Sequence, residues 1–201
     1  EIFAGAVANY NSKDLVTAEA MCNKILNIDP NHFDSLLLTA NISGTNGNFK
    51  RAKEFLIKAS EIQPKNTTVF NNLGSACKEL GELENAQAFY EKTLTLNPNH
   101  THANFNLGLL YYQLKQINKA KNLLEKTTKI QPNFALAHFN LGNLLAETKQ
   151  YKKAKKSFSE AIKIRPDLYG AHNNLGLTLR SLGDYKSAIN CYKEAIRIRP
   201  N

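Results

Sequence analysis

The sequence predicts an all-α solenoid built from six helix-turn-helix repeats, and three observations carry that prediction. All six prolines, Pro30, Pro64, Pro98, Pro132, Pro166 and Pro200, lie 34 residues apart. Ala18, Ala52, Ala86, Ala120, Ala154 and Ala188 keep the same period. Leu-Gly pairs recur on it at Leu73-Gly74, Leu107-Gly108, Leu141-Gly142 and Leu175-Gly176. A fixed period of this size marks one supersecondary unit copied in tandem. Such an array offers an extended surface, so binding outranks catalysis as its use.

With proline at position 32 of the unit, complete units begin at Phe33, Thr67, Thr101, Ala135 and Tyr169. The expected organisation is a single array over 1–201, with repeats 1–32 (partial), 33–66, 67–100, 101–134, 135–168 and 169–201. Within a unit, positions 4, 7, 8 and 11 follow the i, i+3, i+4, i+7 rule and form one stripe of a first helix, A. Positions 17, 20, 24, 27 and 28 do the same for a second helix, B. Small residues at 8 and 20 let the two backbones approach, and large apolar residues at 7, 17, 24 and 30 fill the space around them. Gly47, Gly81 and Gly183 at position 15 end helix A as left-handed residues. Asn48 and Asp184 follow, ready to cap helix B. Lys115 and Lys149 replace that glycine in two units, so those turns are expected to be less comfortable. Proline ends helix B because the residue before it avoids the α region. The first unit departs, with Gly5, Ala6 and Asn9 at positions 7, 8 and 11, and its helix A is expected to be less regular.

Composition is that of a soluble chain, 42% apolar and 21% charged, without tryptophan. The apolar runs fall far short of the roughly 20 residues that span a bilayer. A soluble, cytoplasmic protein with no membrane insertion is expected. Cys22, Cys77 and Cys191 are far apart and form no CxxC pair, which points to reduced thiols rather than a disulfide or zinc framework. The last three units hold more than the whole net charge of +9. Its densest run, Lys149, Lys152, Lys153, Lys155 and Lys156, falls on the outer side of helix B and reads as a solvated face, so no nucleic-acid partner is expected. His138 and His172 share position 4, inside the A–B stripe, and no metal pair is expected there. The chain carries no Gly-rich phosphate loop, nucleophile elbow or HExxH motif. No catalytic residue and no cofactor are therefore expected.

The pattern of Leu-Gly in helix A, Ala and an aromatic in helix B, then Pro, resembles the tetratricopeptide repeat over essentially the whole chain. The departure is position 4, often Trp in that family and here Leu36, Phe70, Asn104, His138 and His172. The resemblance implies a right-handed superhelix whose concave side is lined by helix A. It also argues against the chaperone carboxylate clamp, which wants Lys at position 5; here that position holds Leu37, Asn71, Phe105, Phe139 and Asn173.

At 100° per residue, positions 2, 5, 6, 9, 12 and 13 centre about 150° from the packing stripe. By the resemblance they line the concave surface. Position 6 is Leu38, then Asn72, Asn106, Asn140 and Asn174. Asparagine is a middling helix former, and its amide both donates and accepts. A row of such amides suits the backbone of an extended peptide. The row, with the strings His138-Phe-Asn-Leu-Gly142 and His172-Asn-Asn-Leu-Gly176, is similar to the asparagine ladder of O-linked N-acetylglucosamine transferases, where it implies peptide holding. The competing reading is that these amides only bond neighbouring helix ends. Phe105, Phe139, Leu109, Tyr112, Leu177 and Asn143 share the face, and the two phenylalanines are expected to form an exposed apolar strip.

The sequence thus points to a non-catalytic scaffold that binds a protein or extended peptide, with oligomers possible. The alternative is the substrate-recruiting arm of a larger, glycosyltransferase-like enzyme. A start inside one unit and an end without a solvating helix fit that alternative.

Overall fold

The computed structural model describes residues 1–200, and among these the backbone forms twelve α-helices and no strand. The A helices are α1 (Ile2–Asn11), α3 (Phe33–Thr45), α5 (Thr67–Glu79), α7 (Thr101–Gln113), α9 (Ala135–Glu147) and α11 (Tyr169–Ser181). The B helices are α2 (Leu15–Ile28), α4 (Phe49–Ile62), α6 (Leu83–Leu96), α8 (Ile117–Ile130), α10 (Tyr151–Ile164) and α12 (Tyr185–Ile198). The chain divides into two compact units, Glu1–Ala103 and Asn104–Asn201, with the boundary inside α7. In the first unit α1 to α5 stack in chain order and α6 closes on α5; in the second, α8 to α12 stack in order. The helices α1 and α3 also touch, as do α9 and α11, so these neighbouring A helices lie side by side.

The turn between A and B is built the same way in every repeat. The N–H at position 16 bonds the carbonyl at position 11: Asp14 to Asn9, Asn48 to Ser43, Glu82 to Cys77, Gln116 to Tyr111, Gln150 to Leu145 and Asp184 to Leu179, all at 2.8–3.0 Å. This Schellman closure forces position 15 into the left-handed region. Gly47, Gly81 and Gly183 sit there at φ 75°, 79° and 82°, as expected. Lys115 and Lys149 take φ 58° and 59°, and Lys13 joins them at 67°. Position 16 then opens helix B. The side chains of Asp14, Asn48 and Asp184 accept from the N–H groups of Thr17, Arg51 and Ser187 at 3.1–3.2 Å. Glu82, Gln116 and Gln150 give no such side-chain cap. Helix A starts on His32 and His100, whose Nδ1 atoms accept from Ser35 and Ala103, and on Asn66, which accepts from Val69. Each B helix ends one residue before an extended pre-proline residue such as Asp29 or Arg165.

The A–B contact is governed by matched sizes at positions 8 and 24. A methyl group built on Gly74, Gly142 or Gly176 would lie 2.6, 2.6 or 2.5 Å from the rings of Tyr90, Phe158 and Tyr192. At Gly108 the facing residue is the smaller Leu124, 3.2 Å away. Where position 8 is alanine, at Ala40 and Ala6, position 24 shrinks to Leu56 and Cys22. The alanine at position 20 is at most 3% exposed in all six repeats.

Helix A is buried on a second side that the heptad-like stripe did not reveal. Position 3 (Ser35, Val69, Ala103, Ala137, Ala171) is fully buried, and so is position 10 (Ile42, Ala76, Leu110, Leu144, Thr178); α3, α5, α9 and α11 each pack against the B helix of the preceding repeat. Val69 and Ala76 share one core cluster with Leu36, Ala40, Leu56 and Ala59. Ile42 does the same with Ala6, Ala18 and Cys22. The expected irregularity of the first helix is corrected: α1 is continuous. Its Gly5 packs against Met21, whose Cε would lie 3.1 Å from an added methyl, and Asn9 donates to the Gly5 carbonyl at 2.9 Å.

Two stability predictions follow from this geometry. Gly142→Ala should overpack the A–B contact and cost about 1–3 kcal/mol, with Phe158→Leu in the same chain recovering part of the loss. Denaturant titration of the three variants checks it, and an additive double variant would refute the matched-size account. Lys149→Gly should stabilise by about 1 kcal/mol through release of the left-handed strain. A lowered melting temperature would show that the turn carries none.

Candidate peptide-binding face

Neighbouring A helices bring positions 5, 6 and 9 of adjacent repeats together. In the first compact unit Asn71 Nδ2 donates to Asn72 Oδ1 at 3.3 Å, and Asn72 Nδ2 donates to Asn41 Oδ1 at 3.1 Å. In the second unit the same relay is rebuilt 102 residues on. Asn173 Nδ2 donates to Asn174 Oδ1 at 3.2 Å, and Asn174 Nδ2 donates to Asn143 Oδ1 at 2.8 Å. Asn72 and Asn174 thus spend one donor on position 9 of the preceding repeat. Asn140 has no such partner because that place is taken by Leu109, and its Nδ2 turns back to the Leu136 carbonyl at 2.8 Å. Asn106 is half-buried like the other three.

Each relay borders a niche. The first, about 370 Å³, is lined by Tyr10, Asn41, Phe49, Leu56, Asn72 and Glu79 among others. The second, about 350 Å³, is lined by Tyr112, Asn143, Tyr151, Phe158, Asn174 and Leu177 among others. Corresponding residues occupy the same repeat positions three repeats apart. Tyr10 and Tyr112 stand at position 12, Asn41 and Asn143 at 9, Phe49 and Tyr151 at 17, Leu56 and Phe158 at 24, and Asn72 and Asn174 at 6. Of the residues singled out in the sequence, Tyr112, Asn143, Asn174 and Leu177 meet in the second niche. Sequence reasoning missed Tyr10, Asn41, Phe49 and Tyr151 as site residues. Their shared spacing of three repeats was the available signal.

The expected exposed phenylalanine strip is corrected. Phe105 is only 8% exposed and packs on Phe134, with ring centroids 4.8 Å apart. Phe139 is half-buried, 6.1 Å from the Phe158 ring. Leu109 is half-buried and Leu177 is 40% exposed. His138 and His172 are half-buried, and their Nε2 atoms lie 2.9 Å from the carbonyls of Pro132 and Pro166.

At the mouth of the second niche the Tyr112 hydroxyl donates to Glu147 Oε2, and Lys115 Nζ lies 3.3 Å from Glu147 Oε1. Desolvation first, then the Glu147 carboxylate, pushes the Tyr112 hydroxyl up to about 12. The Tyr112 hydrogen bond first, then that of Lys115, holds the Glu147 carboxyl below its ordinary value. Elsewhere burial raises the Cys77 thiol to about 11, which keeps it protonated and unreactive at neutral pH. All three cysteines are free thiols. Lys149, Lys152, Lys153, Lys155 and Lys156 are all exposed. Among the described residues no group of three or more His, Cys, Asp or Glu could hold a metal ion, and no helix is long and apolar enough to cross a membrane.

Three family models, each described as tetratricopeptide repeat, match residues 33–66, 78–146 and 133–201. The chain belongs to the tetratricopeptide repeat family. Over 75 residues it is 34% identical to the UDP-N-acetylglucosamine–peptide N-acetylglucosaminyltransferase of Caenorhabditis elegans, a match that covers 37% of this chain and 6% of that protein. Among solved structures, Pseudomonas aeruginosa pilF superposes over all of this chain and 91% of its own, with a TM-score of 0.89 and 22% identity. YrrB, described as a tetratricopeptide repeat protein with an unusual peptide-binding site, matches 90% of this chain and 93% of its own at a TM-score of 0.71 and 22% identity. Within the Cut9–Hcn1 hetero-tetramer of the APC/C, a chain matches all of this one and 40% of its own at 0.86 and 16%. At these identities the likeness establishes the fold. Tetratricopeptide repeats serve generally as interaction scaffolds, and that general role extends to this chain.

The Glu147 geometry makes a prediction about pH. A depressed carboxyl stabilises the fold at pH values above its unfolded pKa and loses that contribution as pH falls through its lowered value. Tyr112→Phe should therefore return the Glu147 carboxyl toward its ordinary value. Carboxyl-carbon NMR titration measures this directly, and an unmoved titration would exclude Tyr112 as the main cause.

Proposed function

We propose that this chain is a non-catalytic scaffold that holds an extended peptide, or an extended segment of a partner protein, along the side formed by its A helices. Asn72 serves in the first compact unit, and Asn106, Asn140 and Asn174 serve in the second. Tyr112, Asn143, Leu177 and Leu109 contribute beside them, with Phe105 and Phe139 as a supporting apolar layer. The observation that carries the reading is the half-buried state of the four position-6 amides. Asn72 and Asn174 are held by neighbouring asparagines and Asn140 by its own helix, and all four keep part of their surface toward solvent, which is what preorganised backbone recognition needs. The likeness to a protein with a peptide-binding site supports the same reading.

The test is to recover bound partners by pull-down and titrate them against Asn106→Ala, Asn140→Ala and Asn174→Ala combined. Each neutral hydrogen bond contributes about 0.5–1.5 kcal/mol, so the triple variant should bind tens-fold more weakly while melting normally. Asn140 spends a donor on its own helix and should account for the smallest share. Unchanged affinity in the triple variant would end this reading. A second reading, the substrate-recruiting arm of a larger glycosyltransferase-like enzyme, is favoured by the 34% identity to the nematode transferase. Reading the coding sequence beyond Asn201 for a transferase domain tests it.

A further inference from the structure

We infer that each of the two niches is a separate recognition site for an internal, uncharged stretch of extended peptide, taking one apolar side chain and one main-chain carbonyl. The inference rests on the proposed peptide-binding role and deepens it. Its basis is the direction of the amide relay. Asn72 and Asn174 aim one donor at Asn41 and Asn143, whose oxygens accept. The Nδ2 groups of Asn41 and Asn143 have no acceptor among the described residues, and both residues line a niche. The group offered to a ligand is therefore a donor pair at position 9 of the preceding repeat, not the position-6 row that donates into the relay. A donor pair calls for an acceptor, and a peptide carbonyl is a neutral one.

The remaining walls narrow the chemistry further. Phe49 and Leu56 line the first niche, and Tyr151 and Phe158 the second, which suits an aliphatic side chain such as leucine. A peptide carboxylate would also accept from the asparagine, yet acidic side chains stand near each site. Glu79 lines the first, and Glu147 is held by Tyr112 at the mouth of the second. Each of these carboxylates already has a paired lysine: Lys78 lies 3.4 Å from Glu79, and Lys115 lies 3.3 Å from Glu147. A chain end bearing a negative charge is thus disfavoured, and an internal segment is selected. The recurrence of the whole constellation after 102 residues, complete in each compact unit, gives two sites per chain.

The experiment is NMR titration of the labelled full chain with acetyl-Ala-Leu-Ala-amide at millimolar concentration, following the side-chain amides of Asn41 and Asn143 and the backbone amides of Gly44 and Ala146. Both sets of signals should shift along saturable curves. Asn41→Asp keeps the acceptor for Asn72 but removes the donor, so it should weaken the first site about tenfold and leave the second unchanged. Asn143→Asp should do the reverse. Acetyl-Ala-Ser-Ala-amide, and acetyl-Ala-Leu-Ala with a free carboxylate, should each bind more weakly than the leucine amide. Silence at both niches, equal response to the serine peptide, or tighter binding of the free carboxylate would each overturn the inference. If the niches are silent while the triple asparagine variant still loses its captured partner, only this inference fails. If the niches respond while the triple variant keeps its partner, the row is wrong and the niches stand.

Discussion

The close approach of helix A to helix B at positions 8 and 24 sets the dimensions of every repeat. A glycine on A admits an aromatic ring or leucine from B, and an alanine on A is met by leucine or cysteine. Interiors are packed near crystal density, so one methyl group is enough to change the spacing. Because Ala at position 20 is buried in the same contact each time, the two helices of every pair are held by the same small-to-large exchange. The turn reinforces this. A single residue at position 16 closes helix A through its N–H and, in three repeats, caps helix B with its side chain. Loop length is thereby fixed, and the 34-residue period with it.

Within each compact unit a pair then presents its A helix to the neighbouring A helix, and surface chemistry follows from that contact. Positions 5, 6 and 9 meet across repeats, so an asparagine at 6 finds whatever stands at 9 one repeat earlier. Half-buried amides are rarely left unpaired. Where the earlier residue is Asn41 or Asn143, an interhelical relay forms; where it is Leu109, the amide of Asn140 folds back on its own helix. The chemical character of this side is decided pairwise between repeats.

Charge is arranged separately from this face. The lysine run of the fifth repeat is solvent-exposed on its B helix, whereas the carboxylates of Glu79 and Glu147 sit beside the niches. Exposed charges in water interact weakly and are screened within about 10 Å at moderate salt. The basic surplus therefore bears on solubility and long-range approach more than on the contacts a ligand would make.

Period, helix order, turn glycines and the small residues of the A–B contact were all readable from the chain, because each is enforced by local backbone geometry within one repeat. Pro30 to Pro200 marked the helix ends, Gly47, Gly81 and Gly183 the left-handed turns, and Ala18 to Ala188 the close contacts. Burial of positions 3 and 10, the covering of Phe105 by Phe134, and the pairing of Asn72 with Asn41 were not readable, because each depends on the repeat next door. A single-helix projection treats the side away from its partner helix as open. Stacking closes much of that side, and it alone decided which asparagines join an interhelical relay and which folds back on its own helix.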